Sequence, residues 1–188
     1  MNRIAALDPT HATGKTKSML DAVQTRLGVV PNLFRVLAAA PPALQGYLEL
    51  SAALAGGALS AKVREQIALA VAEANRCGYC LSAHAYLGAE AGLTPDDIAD
   101  ARAATATSPK TQAVLALAQA IVERRGEIDD RELAAARSAG LTDAEIVEIV
   151  ANVAVNILTN YLNHVAGTVI DFPEVTPGVG VAAVAAGA

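Results

Sequence analysis

Residues that start and stop helices recur along this chain so closely that little room is left for a sheet. Thr94-Pro95 opens one segment, with Thr94 placed to cap it and Pro95 at the first helical position, where a missing N–H costs nothing. Thr142 followed by Glu145 is a capping box, and Ser60 is a third start. Gly28, Gly56-Gly57 and Gly92 are stops. Between these marks apolar residues return at helical spacing, and no stretch alternates as a half-buried strand would. The fold class is therefore all-α.

The first predicted helix, 16–27, carries Met19, Val23 and Leu27 on one stripe. A short helix capped by Asn32 follows, and Pro41-Pro42 ends it and begins the next, which runs to Gly56-Gly57. The helix 61–75 contains REQIALAVAEA, apolar almost all round, and is expected at the centre of the fold. Gly78 is read as a break, with a new helix over 80–91. Further helices fit 95 onward, 109–125, 130–138 and 142–167.

At 188 residues the chain suits one domain or two closely packed halves. The reading places the domain at 1–175, with the redox motif at 65–84 and a small-residue flexible tail at 176–188. An internal echo pairs AGLTPDDIADARA (91–103) with AGLTDAEIVEIVA (139–151). A second, at a different offset, matches the Glu65–His84 spacing with Glu145–His164, where Ile157 and Asn160 stand in the places of the cysteines. Two degenerate helical repeats would account for both.

Apolar residues make up 53% of the chain while aromatics are only 3%, which is more apolar surface than one small globule hides and points to an oligomer. The net charge of −5, without a Lys/Arg cluster, excludes a nucleic-acid footprint. The N-terminus lacks the apolar core of a secretory signal, and Glu145, Glu148, Asn152 and Asn156 interrupt the best candidate for a membrane span. The expectation is a soluble, cytoplasmic protein without membrane partners.

Both cysteines and one of three histidines lie within RCGYCLSAH, residues 76–84. In a reducing compartment a CxxC pair indicates redox chemistry or metal binding before a structural staple. On a helix Cys77 and Cys80 are about one turn apart, and His84 follows Cys80 by four on the same face. A helix N-terminus favours a thiolate, and His84 is placed to accept or share the Cys80 proton. Once Cys80 is oxidised to a sulfenic acid, Cys77 can condense with it to a disulfide. Glu65 lies twelve residues before Cys77, with Glu73 a rival carboxylate and Arg64 able to hold Glu65 ionised. Zinc held by Cys77, Cys80, His84 and Glu65, or a chance pair of core thiols, is the competing reading. Haem attachment would need His where Leu81 stands, and a thioredoxin fold would need a sheet. His11 reads as solvated, His164 as a packing residue, and Tyr79 and Tyr86 as flanking or packing groups.

The Glu65-x11-Cys77-x2-Cys80-x3-His84 arrangement resembles the AhpD-like alkylhydroperoxidase branch of the carboxymuconolactone decarboxylase family. VPNLFRVLA, REQIALAVAEANRCGYCLSAH and NILTNYLNHVAGTVIDFP look like its peroxidase-related members, over roughly residues 15 to 175. The resemblance implies a disulfide-cycling peroxidase on an AhpD-like helical bundle. Cys80 would be the peroxidatic thiol, His84 its helper in deprotonation, Cys77 the resolving thiol and Glu65 the end of a proton relay. It implies trimers or hexamers, no metal, haem or flavin, a hydroperoxide substrate, and re-reduction by a thiol or dithiol protein. Some relatives have a second histidine between the cysteines, where this chain has Gly78-Tyr79. The alternatives are a decarboxylase-like enzyme acting on a lactone, for which no basic cluster offers a carboxylate site, and a non-enzymatic thiol switch or zinc-binding oligomer.

Overall fold

A computed structural model describes residues 2–178. They form a 3-10 turn at Pro9–His11 and nine helices: α1 (Gly14–Leu27), α2 (Asn32–Leu37), α3 (Pro41–Ala55), α4 (Ala61–Ala74), α5 (Gly78–Glu90), α6 (Pro95–Arg102), α7 (Pro109–Arg124), α8 (Asp130–Ser138) and α9 (Asp143–Ala166). There is no strand among the described residues.

α4 is the axis of the bundle. Every residue from Gln66 to Ala72 is buried, because α5, α6, α7 and α9 pack around it. A helix apolar on all sides is stable only with neighbours on all sides. The sequence expectation for this segment holds.

The Gly-Leu-Thr echo is a structural repeat of local chemistry. Gly92 and Gly140 both take φ of +89°, a left-handed conformation open to glycine without steric cost. The following Leu93 and Leu141 are buried, and Thr94 and Thr142 form capping boxes with Asp97 and Glu145. The second echo has no such counterpart. Glu65 and His84 sit on two helices of a hairpin, whereas Glu145 and His164 lie near opposite ends of the uninterrupted α9. Glu145 pairs with Lys110, and His164 Nε2 bonds the Asn75 carbonyl at 2.9 Å.

Two local expectations are corrected. Asn32 is the first residue of α2 rather than its cap; its side-chain amide donates to the Val169 carbonyl, and its N–H donates to Asp171. The break before the redox motif is at Arg76, whose φ is +54°, while Gly78 is already helical and α5 begins there rather than at residue 80. A Cβ on Gly78 would meet Ile170 and Pro177 at 3.7 Å, an ordinary contact, so this position does not require glycine.

α9 is long and apolar enough, by length and composition, to cross a membrane, and here it packs as a core helix against α4 and α7. The chain after α9 runs back over the start of α5. Val175 N donates to Ser82 Oγ at 2.9 Å, Arg102 donates to the Thr176 carbonyl at 3.0 Å, and the Gly178 N–H donates to Glu73. The bonded chain thus continues to residue 178, and the rest of the expected tail lies outside the described residues.

Candidate active site

The α4–α5 hairpin brings the four residues singled out in the sequence to one place. Its turn lies at residues 75–77, so Glu65 on the second turn of α4 stands opposite His84 on the second turn of α5. Glu65 Oε2 and His84 Nδ1 are 2.8 Å apart. Cys77 is the N-cap of α5, and its sulfur accepts the Cys80 N–H at 3.4 Å. The two sulfurs lie 2.8 Å from each other.

The charges are divided unevenly. The hydrogen bond from Cys77 is the largest influence on Cys80 and lowers it, against the opposing effect of burial. The charge of His84 and the amides of Asn163 and Asn160 add to the effect, and together they bring Cys80 to about 6. The same bond, and then burial, holds Cys77 far above the ordinary thiol range. Cys80 is the thiolate and Cys77 keeps its proton. Burial works against a charged His84, but the Glu65 carboxylate and the Cys80 thiolate outweigh it and raise the imidazole above its usual value. His84 therefore acts on Cys80 through its charge, with Nδ1 committed to Glu65.

Two amides complete the thiolate's surroundings. Asn163 Nδ2 donates to Cys80 Sγ at 3.2 Å, and Asn160 takes the Asn75 amide at 2.9 Å on its Oδ1. Asn160 Nδ2 and Asn163 Oδ1 are buried without a hydrogen-bond partner among the described residues. Unpaired buried polar atoms are costly, and they concentrate where a structure serves chemistry. Neither residue was anticipated as part of the site. The signal was present: Asn152, Asn156, Asn160 and Asn163 recur at intervals of four, four and three on an otherwise apolar helix, which places them on one face.

The rival residues are accounted for. Glu73 is bonded to Arg102 at 2.8 Å and is spent on structure. Arg64 donates to the Leu59 carbonyl. Tyr79 accepts the Leu33 N–H at 3.0 Å and packs edge-on against Phe172; burial raises its hydroxyl well beyond any useful base range. Among the described residues no group of three or more His, Cys, Asp or Glu side chains is arranged to hold a metal ion.

An apolar chamber of about 330 Å³ opens beside the site, walled by Phe34, Tyr47, Tyr79, Tyr86, Phe172 and His84. Neither sulfur lines it. Tyr79, Ala83 and His84, neighbours of Cys80 on α5, are among its walls.

Residues 41–120 match the sequence profile of the carboxymuconolactone decarboxylase family. A 46-residue stretch is 59% identical to an uncharacterized protein of Haemophilus influenzae, a match that spans 24% of this chain and 41% of that relative's length. The fold is similar to the crystal structure of an alkylhydroperoxidase AhpD core, an uncharacterized peroxidase-related protein of Ralstonia eutropha JMP134, with a TM-score of 0.83 and 24% identity over 90% of this chain and 92% of that one. A peroxidase-related protein of Silicibacter sp. TM1040 gives a TM-score of 0.77 at 24% identity, covering 88% of this chain and 91% of its own. The debrominase Bmp8, in complex with 2,3,4-tribromopyrrole, gives 0.77 at 17% identity, covering 89% and 91%. At these identities the likenesses establish the fold, and chemistry has to be argued from the site.

Proposed function

We propose that this chain, an AhpD-like member of the carboxymuconolactone decarboxylase family, is a thiol-dependent peroxidase. The observation that carries the reading is the asymmetric sulfur pair, with Cys80 held as the thiolate by a hydrogen bond from Cys77. The Cys80 thiolate attacks one oxygen of a hydroperoxide, the O–O bond breaks, and an alcohol leaves with a proton supplied through His84 and Glu65. Cys80 is left as a sulfenic acid. The Cys77 thiol condenses with it, forming a disulfide and releasing water. A thiol or dithiol protein returns the pair to two thiols by exchange. The cycle uses no metal, haem or flavin.

The test is a thiol count before and after one equivalent of cumene hydroperoxide. Loss of both thiols, with an intramolecular disulfide seen by mass spectrometry, is the expected result. Two thiols surviving the peroxide would sink the proposal. Glu65→Gln is expected to slow peroxide reduction by roughly 10²-fold or more, the scale of a lost proton-transfer partner, while circular dichroism stays unchanged. An unaltered rate would remove Glu65 from the relay.

The reading includes a homo-oligomer, a trimer or hexamer. Support comes from α9, whose outer face exposes Val147, Val150, Leu158, Tyr161 and Val165. Their spacing forms a continuous seam, and a second copy of the same helix is the partner such a seam fits. Light scattering is expected to return a multiple of 19.1 kDa for the native chain. Leu158→Glu with Val165→Glu should shift the mass towards a monomer; a native mass already monomeric refutes the seam's role.

A further inference from the structure

A second cavity adjoins the apolar chamber and differs from it in charge. It measures about 200 Å³, and Arg26, Arg64, Glu65, Ser51 and Asn156 are among its walls. Leu27, Phe34, Tyr47, His84 and Leu87 line both spaces, so the two are neighbours that share the imidazole and four apolar or aromatic side chains as their common boundary. Arg26 from α1 and Arg64 from α4 are far apart in sequence, which is why no basic cluster is visible there. Glu65 is already bonded to His84, and Arg26 forms no ion pair among the described residues. At the other end Asp171 lines the aromatic chamber, its carboxylate accepting the Asn32 N–H. One end of the combined space thus attracts an anion and the other repels it.

We propose that the two cavities form one binding site for an amphipathic carboxylic acid. The carboxylate lies between Arg26 and Arg64, where guanidinium groups supply charge-assisted hydrogen bonds. The apolar body fills the chamber walled by Phe34, Tyr86 and Phe172, and the middle of the molecule passes His84. Under the peroxidase reading the physiological substrate is a hydroperoxide of such an acid; that identification rests on the reading above, whereas binding of the acid does not.

The experiment measures calorimetric affinity of the full chain for decanoic acid, for methyl decanoate and for acetate. The acid is expected to bind at least about tenfold more tightly than its ester, the difference a good charged contact makes, and acetate to bind far more weakly than decanoate. Arg26→Gln, at an exposed position away from the sulfurs, should reduce the preference for the acid several-fold. The double variant with Arg64→Gln should erase it, and Phe172→Ala should weaken acid and ester alike. Equal affinity for acid and ester in the native chain, or a preference untouched by Arg26→Gln, overturns the proposal. A retained preference in a chain that reduces no hydroperoxide would overturn the peroxidase reading and leave the acid site standing. Peroxidase activity without the preference does the reverse.

Discussion

Cys80→Ser is expected to reduce peroxide turnover by at least about 10³-fold, the loss that follows when an enzyme's nucleophile is removed. A serine hydroxyl does not ionise under conditions that leave Cys80 a thiolate near neutral pH, and an alcohol displaces oxygen from a peroxide poorly. The exchange is nearly isosteric at a site 2% exposed, so the helix pair should fold as before. Cys77→Ser separates the two roles. It should complete one reduction and then stall, because the sulfenic acid on Cys80 has no thiol to condense with. A dimedone adduct on Cys80 in Cys77→Ser, and none in Cys80→Ser, is the expected mass-spectrometric signature. The opposite pattern would exchange the roles of the cysteines.

The second large effect concerns the titration of the nucleophile. In the native chain the ultraviolet absorbance of the thiolate should rise with a midpoint at about 6, since Cys77 stays protonated throughout. A free thiol titrates near about 8.5. Because the bond from Cys77 is the largest influence on Cys80, Cys77→Ala should move this midpoint upward further than His84→Gln does. The sign is fixed by what is lost: each variant removes a group that favours the charged form, so the thiolate appears at higher pH. A midpoint raised to 8 would leave only about a tenth of Cys80 ionised at pH 7, and alkylation there should slow about tenfold. If His84→Gln moves the midpoint and Cys77→Ala does not, the sulfur–sulfur hydrogen bond is not what sustains the thiolate.

The helices were legible in the sequence because their ends are written in local chemistry. Ser60, Thr94 and Thr142 cap where their side chains suggest, and Gly92 and Gly140 stop helices where a left-handed residue is needed. Arg76 was missed for the converse reason. A left-handed conformation at a residue other than glycine is set by the packing of the hairpin, which no local pattern announces. The same division holds at the site. Cys77, Cys80 and His84 share one short stretch, and their mutual geometry follows from helical spacing. Asn163, Asn160, Tyr47 and Arg26 reach the site from three other helices, and their meeting depends on how those helices cross. The asparagines on α9 carried a readable period, yet in the sequence Asn152 and Asn156 served as an argument against a membrane span and Asn160 as part of an internal echo.

The segment that returns over the start of α5 is a separate unit of stability. It is tied to Ser82, Arg102 and Glu73, partners 93, 74 and 105 residues away along the chain. Contacts of that separation draw no support from their neighbours in sequence, and a segment held by these hydrogen bonds and the partly buried Ile170, Phe172 and Val175 opens at a free energy below that of global unfolding. Cover of the first turn of α5, where a Cβ on Gly78 would meet Ile170, Pro177 and Val175, is then governed by a local equilibrium rather than by the stability of the bundle. Hydrogen exchange should register the difference directly, with the Val175 amide exchanging long before those of Leu69 and Val71 in α4. A denaturant too weak to melt the helices would be enough to release this segment from α5.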